Sequence, residues 1–418
     1  MLGVRQADSL AFIAIGGGRR VGRSVAVESA REAIQWRVCG KPEGTVRIAL
    51  LIDELAPTGG TEAQIRLLLR SFDRERLEPT LVLLRGPLPL PAETGDCPVE
   101  HLGMERLRSY GALSHASALG RRVRAGEIEL IWAFFPDASL VGWWVARRIG
   151  VPLVLNQRNV GAHREHPWLG DPLDRFVMRR ADGCVANSEA ARRYAEGRRV
   201  RRDRLVVIPN AVDTQRFQPI EMSERRRLRG ALGLPLDGLV VGCVANQRPV
   251  KGIADLVRAF ASLRERHDAT LVLVGDGEQR PALESLARTL GVEREVSFLG
   301  QRTDIERIAP CFDVGVLPSH AEGSSNALLE LLSCGTPTIA TDVGGNPEAL
   351  RGGELGLLVP PRDPQALAGA LNRLLGDPDG RRALADRGRA HVVAHFGPAE
   401  ITPRWERVFR DVIARRAG

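Results

Sequence analysis

Residues 319–348 read SHAEGSSNALLELLSCGTPTIATDVGGNPE, and the order of signals in this run sets the fold class. A small polar loop, Gly323-Ser324-Ser325, leads into a helical stretch from Asn326 to Leu332. Cys334-Gly335-Thr336-Pro337 breaks that helix, an apolar strand follows over 338–340, and a second turn comes at Gly344-Gly345. Strands and helices in alternation, separated by such turns, predict a parallel sheet covered on both faces. Two acids, Glu322 and Glu330, stand on either side of the loop-to-helix junction. Free N–H groups and the dipole at a helix start hold phosphate. Flanking carboxylates accept hydrogen bonds from hydroxyl groups, Glu322 from a sugar and Glu330 from a ribose. A phosphate seat between two hydroxyl readers suits a sugar nucleotide.

The same alternation extends in both directions. Order begins with the continuous apolar run Val46-Arg-Ile-Ala-Leu-Leu-Ile52, the pattern of a strand buried on both faces. Helices are expected near 60–71, 113–125, 138–149, 171–181 and 189–196, with strands at 79–84, 129–135, 151–156, 183–187 and 205–209 between them. The pattern restarts with a strand at 239–244 and a helix at 251–265. The expectation is two doubly wound Rossmann-like domains facing a cleft, at 46–217 and 236–398. Residues 218–235 are expected as a linker, 1–45 as a flexible extension, and 399–418 as a closing amphipathic helix with Trp405, Val408, Phe409 and Ile413 on its apolar stripe.

Composition agrees with this plan. A chain of 418 residues exceeds one ordinary core, and 44% hydrophobic with 26% charged residues is that of a soluble protein. No run is apolar enough to cross a bilayer, and the N-terminus lacks the form of a secretory signal. The six cysteines, at 39, 97, 184, 243, 311 and 334, follow no metal or redox spacing. They read as reduced and buried, which places the chain in the cytoplasm. Ten arginines between Arg175 and Arg204, against four acids, leave two readings: contact with the anionic inner face of a membrane, or a solvated surface. Nucleic acid is disfavoured, since no aromatic residues interleave with the basic ones.

In open α/β sheets the chemistry sits at the C-terminal ends of strands. Gly59-Gly60-Thr61-Glu62 follows the first strand and lets backbone approach an anion. Asn246-Gln-Arg248-Pro-Val-Lys251-Gly252 follows the first strand of the second domain. Arg248 offers two donors to a phosphate and Lys251 a compact charge. Lys251 is conspicuous, because Lys41 is the one other lysine among 59 basic residues. Gly275-Asp-Gly277 carries an acid and reads as a structural turn. Asp377-Pro-Asp379 reads as turn and cap chemistry, not a metal site.

Taken together, Glu322-x7-Glu330, the CGTP and DVGG continuation, Gly59-Gly60, Asn187-Ser188, Pro209-Asn-Ala-Val-Asp213 and Arg248-Pro-Val-Lys251-Gly resemble the retaining glycosyltransferases of family 4, which have the GT-B fold. The resemblance covers about residues 46–415. It implies that Arg248 and Lys251 neutralise the donor diphosphate. Backbone N–H groups near Gly59, Gly60, Gly323, Ser324 and Ser325 complete the seat, Glu330 holds the ribose, Glu322 holds the transferred sugar, and the base lies near Gln301. Attack occurs on the face from which the diphosphate departs, with no cofactor and no metal. Many relatives carry a His at the end of the strand over 129–135, and this chain has none there. Asp137 is the expected substitute, and Arg158, Asn159 and His163 are the acceptor-side candidates. The activity implied is transfer of a hexose from a nucleotide-diphosphate sugar to a glycan or lipid-linked acceptor in polysaccharide or glycolipid synthesis. A sugar-nucleotide epimerase of the same fold, or a sugar-nucleotide-binding subunit without turnover, are the alternatives.

Overall fold

The computed structural model describes residues 44–417 apart from 57–58, 87–93, 105–126 and 159–166. The expected extension (to residue 43), the helix expected at 113–125, and Asn159 and His163 lie outside the described residues. The first lobe runs β1 (Val46–Ile52), α1 (Gly60–Ser71), β2 (Leu77–Leu83), β3 (Val99–His101), β4 (Leu130–Ala133), α2 (Pro136–Ile149), β5 (Leu153–Gln157), α3 (Pro167–Arg180), β6 (Gly183–Ala186), α4 (Glu189–Gly197) and β7 (Leu205–Val207). Its sheet has the order β3-β2-β1-β4-β5-β6-β7, and its pairings are parallel, for example Ile48 against Leu130 and Leu50 against Leu81. Ile48, Leu50, Ile52 and Trp132 face one helical layer while Ala49, Leu51 and Ile131 face the other, so β1 and β4 carry apolar residues on both sides.

The second lobe begins with α5 (Met222–Ala231) and continues through β8 (Leu239–Val244), α6 (Ile253–Ala261), β9 (Ala269–Val274), α7 (Arg280–Thr289), β10 (Val296–Gly300), α8 (Ile305–Ile308), β11 (Val314–Leu317), α9 (Asn326–Ser333), β12 (Thr338–Thr341), α10 (Asn346–Ala349) and β13 (Leu357–Val359). Its sheet is also parallel, in the order β10-β9-β8-β11-β12-β13. In both sheets the order reverses beside the first strand, between β1 and β4 and between β8 and β11. Loops leaving those strands diverge and open a crevice, where such sheets bind ligands.

Residues 218–235 differ from the linker expected there, because they carry α5. Arg229, 5% exposed, pins this helix to the second sheet. Its guanidinium donates to the Cys311 carbonyl at 2.7 and 3.0 Å and to Asp313 Oδ2 at 2.6 Å, and Arg225 takes the other Asp313 oxygen at 2.8 Å. An arginine-rich stretch reads as solvated until its acid partner, distant in sequence, is known.

Three helices close the chain, α11 (Pro364–Gly376), α12 (Pro378–His395) and α13 (Pro398–Ala417). Asp377 caps α12, its Oδ1 accepting from Gly380 N at 2.8 Å. Helix α13 returns to the first lobe, where Ile401, Trp405, Phe409 and Val412 join the core of β1 and β4. The Trp405 ring lies 4.6 Å from that of Trp132, centroid to centroid, and Phe409 lies 5.1 Å from it. Replacing a buried Trp by Ala costs about 3–5 kcal/mol. Trp405→Ala is therefore expected to lower the unfolding free energy of the first lobe by that order and so to bring its urea midpoint down, followed by the fluorescence of the remaining tryptophans; an unchanged midpoint would remove α13 from the core.

Candidate active site

The crevice is built from loops that leave strand ends in both lobes. After β8, residues 245–252 cross the C-terminal edge of the second sheet. Gly252 sits at φ 63, and a Cβ there would lie 2.0 Å from the Pro318 carbonyl oxygen. This close approach brings the loop after β8 against the loop after β11. As a result Lys251 Nζ donates to Glu322 Oε1 at 2.5 Å, and Ser319 Oγ donates to the same oxygen at 2.8 Å. Arg248, on the same loop, is exposed and makes no side-chain hydrogen bond or ion pair among the described residues. Ser325 caps α9 by accepting from Leu328 N at 3.3 Å, and Gly323, Ser324 and Ser325 of the preceding loop line the crevice.

The first lobe supplies Gly59 and Gly60 at the start of α1, Arg158 after β5, Asn187 after β6 and Asn210 after β7. Asn210 links the two lobes. Its Oδ1 accepts from Arg158 Nη2 at 2.8 Å, and its Nδ2 donates to Asn326 Oδ1 at 2.6 Å and Ser324 O at 3.3 Å. Asn326 Nδ2 in turn donates to Gly60 O at 2.7 Å. Gln64 fixes the near end of this chain, exchanging hydrogen bonds with the Ala211 backbone at 2.6 and 2.8 Å. The cleft has a volume of about 460 Å³ and is lined by residues of both lobes, among them Gly59, Gly60, Arg158, Arg248, Lys251 and Glu322. Burial pushes the Arg158 guanidinium down to about 10, opposed by the nearby Glu62.

Glu330, one turn into α9, lines both this cleft and an adjoining cavity of about 240 Å³. Arg302 and Thr303, just past β10, wall that second cavity. Burial raises the Glu330 carboxyl to about 7, partly countered by Arg216. A third cavity, about 320 Å³, shares Thr61 and Arg158 with the cleft and is lined by Phe134, Phe135 and Asn156. Phe135 holds φ 64 and ψ 162, a backbone region that normally requires glycine and is often stored at functional sites.

The structure thus gathers Glu322, Lys251, Arg248, Gly59, Gly60, Gly323, Ser324, Ser325, Glu330 and Arg158 around one cleft. Two candidates lie elsewhere. Gln301 is exposed and does not line the cleft, its neighbour Arg302 facing the adjoining cavity instead. Asp137 is held by Arg85 Nη2 at 2.7 Å, on the side of α2 where Asp53 accepts from Ala138 N at 2.6 Å. It does not line the cleft, and an arginine 52 positions earlier holds it. Asn187, Asn210 and Asn326 also line the cleft; Asn187 and Asn210 lie just past β6 and β7, the position in the sequence that marks them, whereas Asn326 opens α9. The Gly275 turn is structural, since a Cβ there would meet the Ala245 carbonyl at 2.1 Å. Among the described residues no group of three or more His, Cys, Asp or Glu is placed to hold a metal ion. The cysteines at 97, 184, 243, 311 and 334 are free and buried.

Family comparison agrees with this geometry. A model of the group 1 glycosyl transferases matches residues 238–377, and a glycosyl transferase 4-like domain matches residues 59–211. The chain belongs to family 4 of the retaining glycosyltransferases. A D-inositol 3-phosphate glycosyltransferase of Corynebacterium urealyticum is 32% identical over 320 residues, covering 71% of this chain and 75% of that protein. One of the same name from Acidothermus cellulolyticus is 32% identical over 408 residues, covering 90% of this chain and 88% of the relative. Among solved structures, Anabaena Alr3699/HepE in complex with UDP-glucose superposes with a TM-score of 0.75 at 26% identity, covering 89% of this chain and 99% of that one. Sucrose-phosphate synthase from Thermosynechococcus elongatus, at 23% identity and a TM-score of 0.74 over 88% of this chain and all of that one, shares the GT-B fold. This glycosyltransferase therefore uses nucleotide sugars, and its two parallel sheets are the two halves of that fold. No helix among the described residues is long and apolar enough to cross a membrane.

The buried Glu330 carries a pH signature. Its carboxyl rises from 4.5 to about 7 on folding, so the native state holds a proton that the unfolded chain has released. Its stabilising contribution is complete below about 4.5 and is lost as pH climbs through about 7, at up to about 1.4 kcal/mol per pH unit within that window. Glu330→Gln is expected to flatten the fall in melting temperature of the ligand-free enzyme between pH 5 and 7.5. An unchanged slope would show that Glu330 ionises as an exposed acid does.

Proposed function

We propose that this glycosyltransferase moves a hexose, with retention, from a nucleotide-diphosphate sugar onto a glycan or lipid-linked acceptor. The carrying observation is the pairing of Lys251 with Glu322 at 2.5 Å in a cleft shared with Arg248, which has no side-chain partner among the described residues, and with Gly59 and Gly60. An ammonium has three donors and Glu322 takes one, so two remain for phosphate oxygens. Arg248 adds a fork of donors that no acid among the described residues claims. The loop before α9 lines the same space, and its backbone N–H groups add donors to the seat. Together they meet charge as it builds on a leaving diphosphate, which is the main task when a glycosidic bond breaks through an oxocarbenium-like state. The leaving phosphate takes the acceptor proton, so the reaction needs no separate base.

In this reading Glu322 keeps the transferred sugar in register through the carboxylate that Lys251 and Ser319 orient. Glu330 accepts from the ribose hydroxyls once ionised, with the base in the adjoining cavity beside Arg302 and Thr303. UDP is the donor nucleotide to test first, because HepE was crystallised with UDP-glucose. The acceptor enters past Phe134, Phe135 and Arg158, and Asp137 is not assigned a part. The arginine-rich α3 and α4 region is the candidate for peripheral contact with an anionic inner membrane face. Arg192, Arg198 and Arg201 of that region are already paired with Glu189, Asp174 and Asp203.

Removing one preorganised charge donor from such a site costs about 10²–10³ in kcat. Lys251→Ala and Glu330→Ala are each expected to cut transfer from UDP-glucose, or from whichever hexose donor of a UDP and GDP panel is accepted, by at least that order. Both should unfold cooperatively within a few degrees of wild type. Product is followed by mass spectrometry alongside free hexose, which separates transfer from hydrolysis and from binding without turnover. Full activity in both variants would reject the site.

A further inference from the structure

Glu348 belongs to α10, in the second lobe, yet its carboxylate ends in the first. Glu348 Oε2 accepts from Glu189 N at 2.9 Å and Oε1 from Ala190 N at 3.3 Å. Ser188 Oγ takes the next donor, Ala191 N, at 3.1 Å. The first three N–H groups of α4 are thereby filled, two of them by the opposite lobe. A carboxylate at that end is also favoured by the helix dipole.

The other end of this contact reaches the donor cleft. Helix α10 follows Gly344-Gly345, and Gly345 N donates to Gly323 O at 2.9 Å. A Cβ on Gly344 would lie 1.8 Å from Glu322 O, and one on Gly345 would lie 2.9 Å from Ser188 Cβ. The turn is thus wedged between Ser188 of the first lobe and the loop that carries Glu322. Asn346 locks its base, donating to Thr341 O at 3.0 Å from a fully buried position. Movement of α4 away from α10 would release the turn, and with it the backbone under Glu322, Gly323 and Ser324.

We infer that Glu348 is a positioning residue for the transfer: by holding the end of α4 it clamps the lobes together and sets the Glu322 loop against the donor. This rests on the glycosyltransferase reading of the cleft. Glu348 is exposed as a residue and fills no core, only its carboxyl being covered by the end of α4, where burial pushes its pKa up; its loss therefore shifts the balance between clamped and unclamped lobes and leaves the fold intact.

The clamp can be cut from either side. Glu348→Ala removes the acceptor. Glu189→Pro removes the nearer N–H at the first position of a helix, where proline is well tolerated, and the preceding Ser188 is already extended at φ −164 and ψ 162. Glu189→Ala is the control, because it loses the surface pair with Arg192 but keeps the backbone donor. Hydrogen exchange of the peptide spanning 186–195 is measured first, with UDP present. Glu348→Ala is expected to speed exchange at Ala190 and its neighbours about tenfold, with β1 and β8 unaffected. With UDP-glucose as donor, Glu348→Ala and Glu189→Pro are each expected to lower kcat/KM about five- to tenfold, chiefly through the donor KM. The double variant should be no worse than either, and Glu189→Ala should match wild type. Unchanged exchange in Glu348→Ala would overturn the clamp. Equal activity of Glu189→Pro and Glu189→Ala, or additive losses in the double variant, would overturn the positioning role. A wild-type enzyme that neither binds UDP nor turns over any donor would instead refute the glycosyltransferase reading, and the exchange measurement would still decide the clamp.

Discussion

An ammonium held 2.5 Å from a carboxylate, where the loops after β8 and β11 touch, is the constraint on which the rest of the site depends. Neither group would keep its place alone. Lys251 has a flexible four-carbon stem, and Glu322 sits on a loop of small residues. Their contact is permitted by Gly252, which lets the two loops approach to a distance no side chain would tolerate. The pair is only partly buried, with 27% and 10% of the two side chains exposed, so charge is available to a ligand without the full cost of a buried ion. Sheet order explains why this occurs here. β8 and β11 are neighbours in space but 70 residues apart in sequence, and the chain leaves them in opposite directions.

The two lobes meet through polar contacts more than through a shared apolar core. The Arg158–Asn210–Asn326–Gly60 chain crosses between the lobes along the cleft, and Glu348 crosses between them at α4. Hydrogen bonds that water can replace suit surfaces that must part and rejoin during a catalytic cycle. Helix α13 acts differently. It inserts large apolar residues into the first lobe, and so fixes the chain end firmly to one side of the cleft.

Much of this organisation is legible in the sequence, for reasons that can be named. β1 and β4 are buried on both faces, so they read as unbroken apolar runs. The acid–loop–helix–acid spacing around α9 is local, so Glu322 and Glu330 can be placed by short-range patterns alone. What stays hidden is pairing over long separations. Asp137 looks available because it sits just past a strand end, and its Arg85 partner lies 52 residues earlier. Residues 218–235 look like a polar connector because the acid that buries Arg229, Asp313, arrives 84 residues later. The three-residue β3 carries too little apolar signal to stand out. Asn210 and Asn326 are 116 positions apart, and nothing in either neighbourhood announces the other.

The return of α13 also sets an order of assembly. Trp132 is translated more than 270 residues before Trp405 and Phe409, the rings that cover it. While the ribosome makes the intervening half, the nascent first lobe presents a bare indole surface with its natural cover still unmade. The second lobe, whose strands and covering helices are complete by α12, has no such wait. The lobe made first is therefore finished last, and a message truncated before α13 would yield one sealed half joined to one that is open to aggregation.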